Sequence, residues 1–183
     1  GKDSNVVKVR LKGEAPDQEN DTIISRELLE KYIDYAPLDD NILNSKEIQI
    51  GVDVARFGDD STIMYVKQGN YIIEEIKLDK KDTMQTANRV ARIVNEYSQN
   101  DIVAKIDGVG VGGGVIDRLA ELQFPNLNII EIQNNARAFN ENEYCNAITE
   151  MFYEFNEFLK RGFVSMPDDS ELIEDLAGRK YEF

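Results

Sequence analysis

The chain has 183 residues, with 35 Asp or Glu against 21 Lys or Arg, a net charge of −14 and no histidine. A hydrophobic fraction of 42% over that length is enough for one cored domain, with at most an appendage. These numbers exclude a histidine base, nucleophile or ligand from this chain, an intramolecular disulfide (Cys145 is the only cysteine) and a helical membrane span, since no apolar run approaches ~20 residues.

Residues 1–22 read as an irregular, polar approach segment. Ser25 is placed to cap a short helix over 25–34, with Leu28, Leu29 and Ile33 as its apolar side. A loop over 37–45 leads to a first strand at 48–54, where Ile48, Ile50, Val52 and Val54 alternate on one face and Asp53 lies on the other. A second strand is predicted over 61–66, a hairpin turn at Lys67-Gln68-Gly69-Asn70, and a third strand over 71–78. Asp82 and Gln85 form a capping-box pattern that opens a helix to about residue 98, with Ala87, Val90, Ala91 and Val94 on one side. A fourth strand over 102–107 ends in Asp107, and a glycine run leads into a helix at 115–122 and a fifth strand at 128–132.

A long helix is predicted over 141–160, its apolar stripe running through Tyr144, Ala147, Ile148, Met151, Phe152, Phe155 and Leu159; that stripe is a core face. A last helix starts around Pro167-Asp168-Asp169-Ser170 and runs through Ala177. The order β-β-β-α-β-α-β-α-α implies a mixed sheet, an antiparallel meander first and parallel strands with crossover helices after it. There is no internal repeat. The single cysteine and the lack of a signal peptide point to an intracellular protein.

Asp53 and Asp107 carry the chemistry. A carboxylate inside a buried strand pattern is costly unless it is paired or binds a cation, and two at strand ends are the beginnings of a shared metal site. The plainer readings are an ion pair for Asp53 and a turn aspartate before Gly108 for Asp107. The glycines have a second reading of their own. Gly108, Gly110 and Gly113 satisfy G-x-G-x-x-G between a strand and a helix, with Glu131 on the next strand, as a dinucleotide-binding domain requires. Against it, the strand is the fourth and Asp107 would repel a pyrophosphate.

Residues 51–62, Gly-Val-Asp-Val-Ala-Arg-Phe-Gly-Asp-Asp-Ser-Thr, resemble the opening of the nuclease domain of tailed-bacteriophage large terminase subunits, a branch of the ribonuclease H-like superfamily. Asp107 with the glycine run to Gly114, Asn146-Ala147-Ile148-Thr149-Glu150-Met151, the stretches 167–172 and 175–181, and the approach from Gly13 to Leu28 resemble further segments of that family in the same order. The resemblance implies an α/β, ribonuclease H-like fold: a mixed central sheet with antiparallel first three strands, parallel following strands and helices on both faces. It implies a linker over 1–45 and a nuclease domain over 46–183. It implies a metal-dependent endonuclease that cleaves concatemeric double-stranded DNA during genome packaging, with Asp53 and Asp107 as catalytic metal ligands for Mg²⁺ or Mn²⁺ in a two-metal site. Its implied partners are double-stranded DNA, an upstream terminase ATPase domain, the small terminase subunit and the portal protein, in the host cytoplasm, with no membrane.

The family carries a further catalytic aspartate in a helix beyond the position of Phe183, so the domain as given ends before that ligand. Asp168 and Asp169 are better placed to cap a helix, and Asp59 and Asp60 to shape a turn, although Asp60 could support the site. The net charge is unfavourable for holding DNA without metal ions or another domain. Among scattered basic residues, Arg137 is the candidate phosphate contact. A non-catalytic docking module for DNA or the portal is the remaining alternative.

Overall fold

The computed structural model describes residues 22–34, 45–55, 60–108, 110–133 and 136–180. The expected approach segment before residue 22, the loop after Asp34, Asp59, and Tyr181 of the last matching stretch lie outside these residues.

Five strands form one sheet: β1 (Glu47–Asp53), β2 (Ser61–Gln68), β3 (Tyr71–Asp79), β4 (Asp101–Asp107) and β5 (Leu127–Ile132), in the spatial order β3-β2-β1-β4-β5. β1 pairs antiparallel with β2, and β2 with β3; β1 pairs parallel with β4, and β4 with β5. This is the expected mixed sheet. The hairpin turn is two residues tighter than expected: β2 runs through Gln68, and Gly69 makes the turn at φ 57°, a conformation open to glycine.

Alternation along the strands separates two faces. Ile48, Ile50, Val52, Met64, Val66, Ile102, Ala104 and Ile106 are almost fully buried on one of them. Helices α2 (Thr83–Glu96) and α3 (Gly112–Leu122) cover this face with Ala87, Val90, Ile93, Val94, Val115 and Leu119. Each buried Val, Leu, Ile or Met side chain among these stabilises the fold by about 1.5–3 kcal/mol relative to exposure. The capping box opening α2 is present: the Asp82 carboxylate accepts from the Gln85 amide at 2.7 Å, and the Gln85 side chain accepts from the Asp82 amide at 3.3 Å.

The opposite face is covered by a second helical layer. It comprises α1 (Arg26–Glu30), α4 (Ala147–Lys160) and α5 (Ser170–Gly178), joined by a core of Ile24, Leu29, Tyr32, Leu159, Met166 and Ile173. Short backbone links tie the layer together and to the sheet: Ile23 N–H donates to the Arg179 carbonyl at 3.0 Å, Met166 N–H to that of Tyr32 at 2.9 Å, and Ser165 N–H to that of Asn70 at 3.2 Å.

Two helices are shorter than their patterns predict. α1 spans five residues because Lys31–Asp34 turns away to pair with Met166. α4 begins at Ala147, not near 141, since Asn146 caps it by accepting from the Thr149 amide at 2.9 Å. The apolar stripe is also narrower than expected. Phe152, Phe155 and Leu159 pack inward, but Met151 is 41% exposed and Glu150 is buried. The Glu150 carboxylate accepts from the amides of Phe139 and Asn140, which satisfies a buried charge.

Candidate active site

The parallel register that places Val52 beside Ile106 carries the next residues, Asp53 and Asp107, side by side at the carboxyl ends of adjacent strands. Both point to the face opposite the aliphatic core, as the alternation requires. Burial, and then the Asp107 charge, hold the Asp53 carboxyl above its ordinary pKa. No ion pair of Asp53 occurs among the described residues, so the plain salt-bridge reading of that residue has no cation to name. The chain leaving β1 is fixed by buried Thr62, whose Oγ1 accepts from the Ala55 amide at 3.1 Å.

The two aspartates line an open cavity of about 470 Å³ between the sheet and the start of α5. Its wall carries six carboxylates, Asp53, Glu75, Asp107, Asp169, Glu171 and Asp175, against two amines, Lys77 and Lys105. Asp169 is the N-cap of α5, accepting from the amides of Glu171 at 2.9 Å and Leu172 at 3.4 Å. Tyr65 Oη donates to Asp169 Oδ2 at 3.4 Å, and Lys77 Nζ pairs with Glu171 at 3.2 Å. Burial, then the negative charges of Glu75 and Asp169, push the Tyr65 hydroxyl far up, so it stays a proton donor. Burial and the Asp169 charge likewise raise Glu75. The cavity is therefore an acidic, cation-attracting recess.

The glycine run has a packing function. A Cβ on Gly112 would overlap the carbonyl oxygen of Asp107, and one on Gly108 would overlap the Glu131 side chain. Gly110 sits at φ 87°. The run lets α3 begin directly against the end of β4, which fixes the Asp107 backbone. The last glycine of the dinucleotide fingerprint, Gly113, meets nothing within 4 Å, and Glu131 bonds Gln133 at 3.2 Å. An antiparallel β1-β2-β3 meander is foreign to the doubly wound nucleotide fold.

Of the residues singled out from the sequence, Asp53, Asp107 and Asp169 meet at the cavity. Asp168 is exposed outside its lining, and Asp60 is exposed just before β2. Arg137 is exposed and lies 3.7 Å from Glu141. Glu75, Glu171, Asp175 and Lys105 are additions; Lys105 had a legible signal, because it lies two residues before Asp107 on the same strand face, and Glu171 and Asp175 fall in the matched stretches 167–172 and 175–181 without having been singled out. Two aspartate carboxylates are hard oxygen donors of the kind Mg²⁺ and Mn²⁺ take, and their mutual repulsion is what a cation relieves. Among the described residues, no cluster of three or more carboxylate or thiol side chains gathers tightly enough to hold a metal ion alone. No described helix is long and apolar enough to cross a membrane.

No family model matches the chain, and no curated protein matches it. Solved structures do. The nuclease domain of the large terminase subunit gp2 of bacterial virus Sf6 superposes with a TM-score of 0.65 at 15% identity, over 86% of this chain and 80% of that one. A K428A mutant of that domain with manganese and beta-thujaplicinol gives 0.67 at 16% identity, over 86% and 80%. The large terminase nuclease from thermophilic phage G20c with bound magnesium gives 0.59 at 16% identity, over 89% and 82%. The chain thus has the ribonuclease H-like fold of large-terminase nuclease domains.

Proposed function

We propose that this chain is the nuclease domain of a phage large terminase subunit, a metal-dependent endodeoxyribonuclease that cuts concatemeric double-stranded DNA during genome packaging. The observation that carries the reading is the pair Asp53 and Asp107, adjacent at the ends of two parallel strands in a fold shared with terminase nucleases.

In this reading both aspartates are metal ligands and the catalytic residues. Their backbones are held on central strands, the chain just after Asp53 by the Thr62 bond to the Ala55 amide and Asp107 by the close-packed start of α3, so the carboxylates are presented without reorganisation. When bound, Mg²⁺ or Mn²⁺ would supply activation of the attacking water and stabilisation of the leaving 3′ oxygen. The surrounding carboxylates draw in cations and repel bare phosphate, which makes DNA engagement at this recess depend on metal. The domain boundaries, 1–45 as approach and 46–183 as nuclease, belong to the same proposal. So do the partners, namely double-stranded DNA, an upstream ATPase domain, the small subunit and the portal, and the setting in the host cytoplasm.

The deciding experiment is cleavage of supercoiled plasmid by the chain with Mn²⁺ or Mg²⁺, and by its Asp53→Asn and Asp107→Asn variants. Metal-dependent nicking that both substitutions abolish supports the reading; cleavage retained in either sinks the assignment. The lack of a three-ligand cluster among the described residues favours one other reading, a non-catalytic module that docks DNA or the portal. No cleavage by the unmodified chain with either metal would select it.

A further inference from the structure

The sheet face that carries Asp53 and Asp107 continues away from them as a second recess, of about 350 Å³, lined by Gln49, Gly51, Tyr65, Lys67 and Lys105 and walled by Phe155 and Leu176. It shares Gly51, Tyr65, Lys105 and Leu172 with the aspartate cavity, so the two form one trough with Gly51 on its floor. Register fixes the layout. Tyr65 and Lys105 flank Gly51 on either side, and Lys67 lies one step further beside Gln49. Lys105 stands about 7 Å from Asp107 along its strand.

Two features here lower stability and have no explanation among the described residues. A glycine in the interior of a central strand costs conformational entropy, and such glycines mark places where a ligand or another backbone comes close. A Cβ on Gly51 would meet nothing within 4 Å, so no atom of the described residues requires the glycine. The lysines are the second feature. Neither Lys67 nor Lys105 forms an ion pair among the described residues, and Lys105 Nζ donates to the neutral Gln49 side chain at 3.5 Å. Burial, then the Lys105 charge, lower the Lys67 pKa; the one acid opposing this is Glu47 at the strand start. In a chain of net charge −14, these two amines form an island of positive charge beside an acidic recess.

We propose that the trough over Gly51, between Lys105 and Lys67, holds a phosphodiester of the DNA strand next to the one placed at Asp53 and Asp107. The inference rests on the nuclease reading for the identity of the ligand. Both amines act as positioning residues, and the missing side chain at Gly51 leaves room for the strand to lie on the sheet.

The test is binding of a fluorescent DNA duplex by the full chain, with Ca²⁺ in place of Mn²⁺, alongside thermal unfolding and Mn²⁺-dependent cleavage. Lys105→Gln and Lys67→Gln should each weaken binding about tenfold and reduce the salt slope by about 1, and the Lys→Arg variants should retain affinity. Gly51→Val, with Gly51→Ala as the milder form, should unfold at or above the temperature of the unmodified chain while binding DNA at least tenfold more weakly. Unchanged affinity in Gly51→Val and Lys105→Gln overturns the proposal, as does weakened binding of inorganic phosphate with unchanged binding of duplex. The two readings fail separately. Duplex binding that depends on Gly51 and Lys105, without any cleavage, leaves the trough standing and removes the nuclease. Cleavage with unchanged KM in these variants does the reverse.

Discussion

The two faces of the sheet are made by alternate residues of the same strands, yet they obey different rules. On one, Ile48, Ile50 and Val52 of β1 meet Ile102, Ala104 and Ile106 of β4, all 4% exposed or less, under two amphipathic helices. On the other, Gln49, Gly51 and Asp53 meet Lys105 and Asp107. The first face is complete in itself. The second holds a like-charged pair, two amines that form no ion pair among the described residues and a central-strand glycine, each of which lowers stability. The difference teaches where to look for function: one face supplies the rigidity, and the other carries charged groups that packing alone would not select.

The strongest way to break this comparison is at the aspartates. On the proposed reading, Asp53→Asn and Asp107→Asn should each lower Mn²⁺-dependent plasmid cleavage by a factor on the order of 10³, and the double variant should be little worse, as ligands of one site would act as a unit. Circular dichroism should show the fold unchanged. Additive losses would mean that the two carboxylates serve separate sites.

On the aliphatic face, Ile50→Ala or Ile106→Ala should cost about 2–5 kcal/mol in urea unfolding. Both side chains are fully buried between sheet and helices. A cost below 1 kcal/mol would show that this face is loosely packed and cannot be what holds the aspartates in place. Gly112→Ala addresses the junction of the two faces. The added methyl would collide with the Asp107 carbonyl, so the start of α3 must shift, at about 1–3 kcal/mol. Cleavage should fall with it, because the displaced group is the Asp107 backbone. Loss of stability with full cleavage would show that α3 does not position Asp107.

The first face was almost fully legible in the sequence, because period-two and period-3.6 patterns are local. The placement of Asp53 and Asp107 at strand ends, the capping box at Asp82 and the cap at Asp169 were legible because they too are local. The wall of the cavity was not. Asp169, Glu171 and Asp175 reach β1 and β3 only because the second helical layer folds back over the sheet, a long-range event with no local signature. The start of α4 was not legible, because Tyr144 continues the apolar period while the Asn146 cap overrides it. The trough lay between these cases. The parity that sets Lys105 with Asp107 and Gly51 with Asp53 is written in the strands, but that the neighbouring helices leave the space above Gly51 open is not.

The smallest expected effect has the opposite sign from the first. In metal-free solution, Asp53→Asn should make the protein more stable near neutral pH, because the carboxylate is held above its ordinary pKa by burial and by Asp107. The sign follows from linkage. A carboxyl whose pKa is raised by folding binds its proton more tightly in the folded state, so its contribution is present at low pH and lost as pH rises through the raised value. Asparagine has no such loss. The advantage of the variant should therefore be absent below the ordinary aspartate value of 3.8, open as pH rises through the Asp53 titration and stay constant above it. Asp53 is partly open to solvent, so screening limits the gain to no more than about 1 kcal/mol, or about 2–4 °C in Tm. The measurement is the unfolding temperature of both proteins in EDTA across that range. Adding Mn²⁺ should then reverse the order, because only the aspartate gains from a bound cation. A variant less stable than the parent in EDTA at pH 7 would mean that the carboxylate is held by bonds inside the chain, and the second face would then be as self-contained as the first.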